Sequence, residues 1–107
     1  MKLYVVGLGP GELSQATGRA LQALEECDVI AGYTVYIDLI KERFGHKKLL
    51  STPMKKEVER CRLAVEETLK GQKVAMVCSG DAGVYGMAGL IYEVAQDYDP
   101  IEIEIIP

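Results

Sequence analysis

Val74-Ala75-Met76-Val77-Cys78-Ser79-Gly80-Asp81-Ala82-Gly83-Val84-Tyr85-Gly86-Met87 is the stretch whose reading decides the fold. Its first five residues form an unbroken apolar run, as expected of a strand covered on both faces. The residues after it, Ala88-Gly89-Leu90-Ile91-Tyr92-Glu93-Val94, read as a helix. The join is a glycine-rich turn, and such a turn at the carboxyl end of a parallel strand is where open α/β sheets hold ligands. Glycines at 80, 83, 86 and 89 let backbone and ligand approach where a Cβ would obstruct. The plain alternative is a simple strand-to-helix connection with Asp81 as the N-cap. A second glycine-rich turn, Gly7-Leu8-Gly9-Pro10-Gly11, stands in the same position after the apolar run Leu3-Tyr4-Val5-Val6 and favours the ligand-holding reading.

Working outward, strand and helix patterns alternate. Ser14 to Glu26 carries Ala16, Ala20, Leu21 and Leu24 at helical spacing. Asp28 to Gly32 reads as a second strand, followed by a helix from Val35 to Phe44 that ends at Gly45. Lys48 to Ser51 is a short third strand. Thr52-Pro53 reads as a helix start, with Thr as N-cap and Pro in the first position. Val58, Cys61, Val65 and Leu69 give that helix an apolar stripe. Glu57, Glu59, Arg60, Arg62, Glu66 and Glu67 read as its solvated face, and Gly71 closes it. The helix after the glycine-rich turn is expected from Val84 to Gln96. Ile101, Ile103 and Ile105 then alternate with Glu102 and Glu104, as in a half-exposed edge strand. This βαβαβαβαβ order predicts an α/β, three-layer fold: a mainly parallel five-stranded sheet flanked by about four helices. Right-handed crossovers would set all βα turns along one rim.

A chain of 107 residues suits one domain with a modest core. A net charge of -4 argues against a nucleic-acid partner, whose domain would carry a basic face. No apolar run is long enough to span a bilayer, and the N-terminal residues do not form a signal peptide. Cys27, Cys61 and Cys78 are odd in number, widely spaced and without a CxxC pair. They read as reduced core thiols of a cytoplasmic protein, with no metal site.

The glycine turns limit what can bind. Gly7-x-Gly9-x-x-Glu12 lacks the third glycine of the dinucleotide fingerprint, and no GK[ST] phosphate loop is present. Pro10 removes an amide donor, and Glu12 puts negative charge where a phosphate would sit. A ligand without phosphate fits better. S-adenosylmethionine is one: its sulfonium tolerates nearby acidity, and glycine-loop backbone can hold its amino-acid tail.

The two glycine turns together resemble those of the tetrapyrrole methylases. Gly32 to Ile40, Ser51 to Cys61 and Met87-Ala88-Gly89-Leu90 are similar to one branch, the precorrin-3B C(17)-methyltransferases of cobalamin biosynthesis. The resemblance covers nearly the whole chain but only the first of that family's two α/β domains. It implies that residues 1–107 are an N-terminal domain, with the C-terminal domain absent from this chain. It also implies S-adenosylmethionine as methyl donor, held in a cleft between domains. The implied reaction is methyl transfer to ring carbon 17 of a precorrin-3-type or cobalt-precorrin-3-type tetrapyrrole, with ring contraction. The expected full-length enzyme is a cytoplasmic homodimer; alone, this domain is expected to be folded but inactive.

By motif, Pro10, Ser79, Gly80, Asp81 and Val84 would contact the donor, and Gly9 and Gly11 would shape the substrate-side loop. Tyr33 stands where some relatives carry an Asp proposed as catalytic base. A phenol titrating near about 10 is a poor base at neutral pH, so Tyr33 is a candidate for orienting substrate or for packing at a strand end. Tyr36 and Tyr85 flank the rim and either stack on a macrocycle or pack in the core. His46, in Gly45-His46-Lys47-Lys48, reads as solvent-exposed and non-catalytic. An apolar patch is expected where a second domain would dock. The competing readings are a tetrapyrrole methylase acting at another ring position and a non-catalytic α/β binding domain.

Overall fold

The computed structural model describes residues 1–8, 17–80 and 82–107, with Ala82 described by its backbone only. The elements are β1 (Lys2–Leu8), α1 (Gly18–Glu26), β2 (Val29–Tyr33), α2 (Thr34–Phe44), β3 (Lys48–Thr52), α3 (Glu57–Leu69), β4 (Val74–Ser79), α4 (Ala82–Ala95) and β5 (Glu102–Ile106). The strands pair in the order β3-β2-β4-β1-β5, every pair parallel. The expected α/β sheet with an edge strand at the end of the chain is therefore present, and its carboxyl ends share one edge. Leu8 lies opposite Ser79, and Tyr33 opposite Thr52.

Alternation along the buried strands assigns the two layers. Tyr4, Val6, Leu8, Ala75 and Val77 pack with Ala20, Leu24, Ile37, Ile40 and Phe44 of α1 and α2. Leu3, Val5, Val74, Met76 and Cys78 pack with Cys61, Ala64, Val65, Ala88 and Ile91 of α3 and α4. This explains the apolar runs in β1 and β4, since both faces of those strands are covered. Each fully buried Leu, Ile or Val contributes about 1.5–3 kcal/mol.

Several boundaries move for identifiable reasons. Gly7 continues β1 instead of opening the turn, because that strand pairs with β4 as far as Leu8. Helix α1 starts at Gly18, where the Thr17 hydroxyl accepts from the Ala20 amide at 3.1 Å; Ser14 to Ala16 lie outside the described residues. Helix α4 starts two residues earlier than expected, at Ala82. Gly45 does follow α2, but with an ordinary φ of -64. A Cβ there would come to 2.5 Å from the Lys41 carbonyl oxygen, so crowding selects this glycine. Gly71, at φ +94 after α3, is the residue that needs glycine's left-handed freedom.

The Thr52-Pro53 helix start is overturned. Thr52 is the last residue of β3, and α3 begins only at Glu57. Thr52 is engaged by the sheet: its carbonyl accepts from the Thr34 hydroxyl at 3.2 Å, and its hydroxyl accepts from Arg60 Nε at 2.7 Å. Lys55 then takes φ 69, which breaks any helix running on from Pro53.

The solvated face of α3 is also corrected. Arg60 is 5% exposed and Glu67 7%, whereas Val58 of the supposed apolar stripe is 44% exposed. Glu67 is held by Lys48 Nζ at 2.7 Å and Lys70 Nζ at 3.4 Å. The Lys48 hydrogen bond is the main cause that keeps its carboxyl below the ordinary range.

Candidate active site

Helices α1 and α2 follow β1 and β2 onto one face, while α4 follows the strand between them, β4, onto the other. The chain therefore leaves neighbouring strand ends in opposite directions on both sides of β4. Such switch points are where open α/β sheets bind ligands.

The β1/β4 switch point is closely packed backbone. A Cβ on Gly7 would stand 3.2 Å from the Gly80 Cα, and one on Gly80 would stand 3.2 Å from the Leu8 carbonyl oxygen. The ends of β1 and β4 thus touch on one edge. Gly9, Pro10, Gly11 and Asp81 lie outside the described residues. Of the other donor-site candidates, Ser79 is exposed at the end of β4, and Gly80 adjoins β1. Val84 is fully buried on the inner face of α4, packed into the core beneath the cleft.

The β2/β4 switch point opens into a cleft of about 240 Å³. Tyr33 and Tyr36 form one wall, Val77 to Ser79 the floor, Gly83 and Met87 a second wall, and Met54, Glu57 and Arg60 the third. The two tyrosine rings meet edge-on with centroids 6.1 Å apart. Gly83 lets the start of α4 sit directly against Ser79, since a Cβ there would stand 1.9 Å from the Ser79 hydroxyl oxygen. Tyr36 therefore serves both cleft and core, while Tyr85, 59% exposed, does not follow the core-packing alternative.

Arg60 is the residue the sequence reading missed. Its Nε donates to the Thr52 hydroxyl at 2.7 Å and one terminal nitrogen reaches the Pro53 carbonyl at 3.4 Å. Its guanidinium lies 5.8 Å from the Tyr33 ring centroid, within cation–π range. A signal was available: Arg60 falls on the helical row of Ala64 and Thr68, both buried, beside Cys61 and Val65.

The remaining polar groups narrow the chemistry. Cys78 borders the cleft, but its thiol is 5% exposed, reaches the Val6 carbonyl at 3.5 Å, and is pushed up to about 12 by burial. Burial likewise pushes Cys27 up to about 12 and Cys61 up to about 11, so none of the three is a ready nucleophile. His46 is exposed in the turn after α2, at the opposite edge of the sheet. Among the described residues no group of three His, Cys, Asp or Glu side chains gathers as a metal site. None of the described helices is long and apolar enough to cross a membrane.

The arrangement offers positioning and no described nucleophile. It supplies glycine-lined backbone at one switch point and, at the other, an aromatic and cationic cleft. Comparison with known proteins agrees with that layout: the family of tetrapyrrole (corrin/porphyrin) methylases matches residues 2–107. The chain belongs to the tetrapyrrole methylases.

Among other tetrapyrrole methylases, it is 44% identical over 111 residues to the cobalt-factor III methyltransferase of Priestia megaterium, matching 99% of this chain and 21% of that one. It is 42% identical to a probable cobalt-factor III C(17)-methyltransferase of Salmonella typhimurium, over 98% of this chain and 44% of the relative. The crystal structure of the methyltransferase CobJ superimposes with a TM-score of 0.85 at 35% identity, over 98% of this chain and 45% of CobJ. The chain thus spans less than half the length of each of these relatives.

Proposed function

We propose that this chain forms the N-terminal half of an S-adenosylmethionine-dependent methyltransferase of cobalamin biosynthesis, acting on ring carbon 17 of a precorrin-3-type or cobalt-precorrin-3-type tetrapyrrole with ring contraction. The observation that carries the reading is the pair of adjoining switch points around β4, in a chain similar to proteins named for that activity. The second half of the cleft belongs to a C-terminal domain, the full-length enzyme is a cytoplasmic homodimer, and the N-terminal half alone folds without transferring methyl groups. Among the described residues, four of the six exposed large apolar side chains, Val35, Met54, Val58 and Tyr85, lie in or just before the first turns of helices on the cleft rim, and they suit that docking.

The cradle fits the proposed donor. Gly80 and Gly83 let the chain after β4 pack closely against Leu8 and the Ser79 hydroxyl, and Ser79 and Gly83 both line the cleft. Ser79 and Gly80, with Pro10 and Asp81, would hold the amino-acid tail, and the buried Val84 would support them from the core. Gly9 and Gly11 shape the substrate-side loop. When bound, S-adenosylmethionine would supply an electrophilic methyl group on its sulfonium, with the thioether of S-adenosylhomocysteine as leaving group. The protein's contribution is to hold nucleophilic carbon and methyl in line and to exclude water, a role that positioning alone can fill. Tyr33 and Tyr36 offer a ring edge and face to the macrocycle.

The test is methyl transfer from radiolabelled S-adenosylmethionine to cobalt-factor III by the full-length protein and by residues 1–107 separately. Label in a C17-methylated product from the full-length protein only is the expected result. Label at another ring position would support a different branch of the family. Absence of any S-adenosylhomocysteine binding in calorimetry would favour a non-catalytic domain.

A further inference from the structure

We propose that Arg60 is the anchor for a carboxylate substituent of the tetrapyrrole, a role that rests on the methyltransferase reading given above. Three observations carry it. Arg60 is 5% exposed, yet among the described residues no carboxylate lies within 4.0 Å of it; its partners are one hydroxyl and one distant carbonyl. A buried guanidinium with only neutral partners is costly unless an anion completes it. The same side chain forms part of the cleft wall, within reach of a molecule bound there. Arg60 also occupies the first turn of α3, where Glu57 and Glu59 already meet the helix N-terminus, so the guanidinium and not the helix end is the charge left for a ligand.

The other groups around the cleft fit this role. Glu57 lines the outer wall one turn before Arg60 but is exposed and makes no ion pair with it. Tyr33 holds the guanidinium over its ring, and Tyr36 crosses Tyr33 edge-on. A flat, carboxylate-bearing macrocycle would meet aromatic wall and cation together. A planar fork binding a carboxylate in bidentate fashion is a geometry lysine does not reproduce. A protein with a net charge of -4 thereby gains one inward-facing cation at the place where a polyanionic substrate would enter.

The test uses the full-length protein and three variants: Arg60→Met, Arg60→Lys and Thr52→Val. Calorimetry measures binding of uroporphyrin III, an octacarboxylate tetrapyrrole, and of S-adenosylhomocysteine. Expected is a loss of about tenfold or more in uroporphyrin affinity for Arg60→Met, with partial recovery in Arg60→Lys. Thr52→Val, which removes the Nε acceptor but not the charge, should keep uroporphyrin affinity within about twofold. S-adenosylhomocysteine affinity should stay within about twofold in all three. Loss of S-adenosylhomocysteine affinity alone would reassign Arg60 to the donor's own carboxylate and overturn the proposal. Equal loss in Thr52→Val and Arg60→Met would reduce Arg60 to a structural pin and overturn it as well.

A separate readout covers misfolding of a variant or failure of the parent to bind tetrapyrrole. Sodium propionate is titrated into unmutated protein labelled with ¹⁵N-arginine, following the Arg60 Nε–H resonance. A saturable shift supports the carboxylate site even if no methyl transfer is found. A resonance that propionate does not move would contradict it.

Discussion

The two edges of the sheet are built differently. At the amino edge, polar groups are tied to one another. Asp28 and Val29 amides both donate to the Lys73 carbonyl, at 2.8 and 3.1 Å, and the Asp28 carboxylate accepts the Lys73 amide at 3.0 Å. Lys47 Nζ reaches the carbonyls of Glu25 and Cys27, and the Glu102 amide reaches Met1. At the carboxyl edge, helices α2 and α3 start without side-chain caps, apolar side chains stand exposed, and a buried arginine has no acid within 4.0 Å among the described residues. One edge has spent its hydrogen bonds on stability. The other keeps donors and apolar surface in reserve, which is the expected state of a binding rim.

Substitutions at the two edges should therefore separate stability from ligand binding. The largest effect is expected for Phe44→Ala, which empties a fully buried position at the amino-edge end of α2. It should cost about 3–5 kcal/mol in urea unfolding while leaving S-adenosylhomocysteine affinity of the folded full-length protein within about twofold. Asp28→Ala comes next on that edge. It removes the exposed hydrogen bond to the Lys73 amide and should cost about 0.5–1.5 kcal/mol, again with affinity unchanged. Gly83→Ala is the converse case: its methyl group would intrude on the Ser79 hydroxyl in the cleft. Donor affinity should fall about tenfold with a melting temperature close to the parent's; a large loss of stability with unchanged affinity would erase the distinction between the edges.

The smallest effect concerns pH. The Glu67 carboxyl is held low chiefly by Lys48, so its contribution is fully present above the unfolded-state value of about 4.3 and is lost as pH falls through the lower folded-state value. Unfolding free energies of the parent and Glu67→Gln should differ at pH 7 and converge on acidification below pH about 4. A difference that persists at pH 2 would show that packing, not charge, holds Glu67.

The same contrast explains how much the sequence disclosed. The strands of β1 and β4 were legible because both faces are covered, and β5 because its Ile and Glu residues alternate. The end of β4 was legible in Gly80 and Gly83, whereas Gly7 belongs to β1 and Gly9 to Gly11 lie outside the described residues. Thr52 was misread because its hydroxyl and carbonyl are claimed by Arg60 and Thr34, partners eight and eighteen residues away. Arg60 and Glu67 were misread because a charge on a helix looks solvated until the neighbouring strand β3 is placed against it. Local chemistry fixed the elements; the cation of the candidate site exists only through tertiary packing.

The central claim is that the carboxyl edge, and not the amino edge, is half of a methyl-transfer cleft. Amide chemical-shift mapping on the full-length protein, titrated with S-adenosylhomocysteine and then uroporphyrin III, tests it most directly. The account predicts shifts at Tyr33, Tyr36, Ser79, Gly80 and Gly83, with Asp28, His46 and Lys73 unmoved. Shifts confined to Asp28, His46 and Lys73 would contradict it.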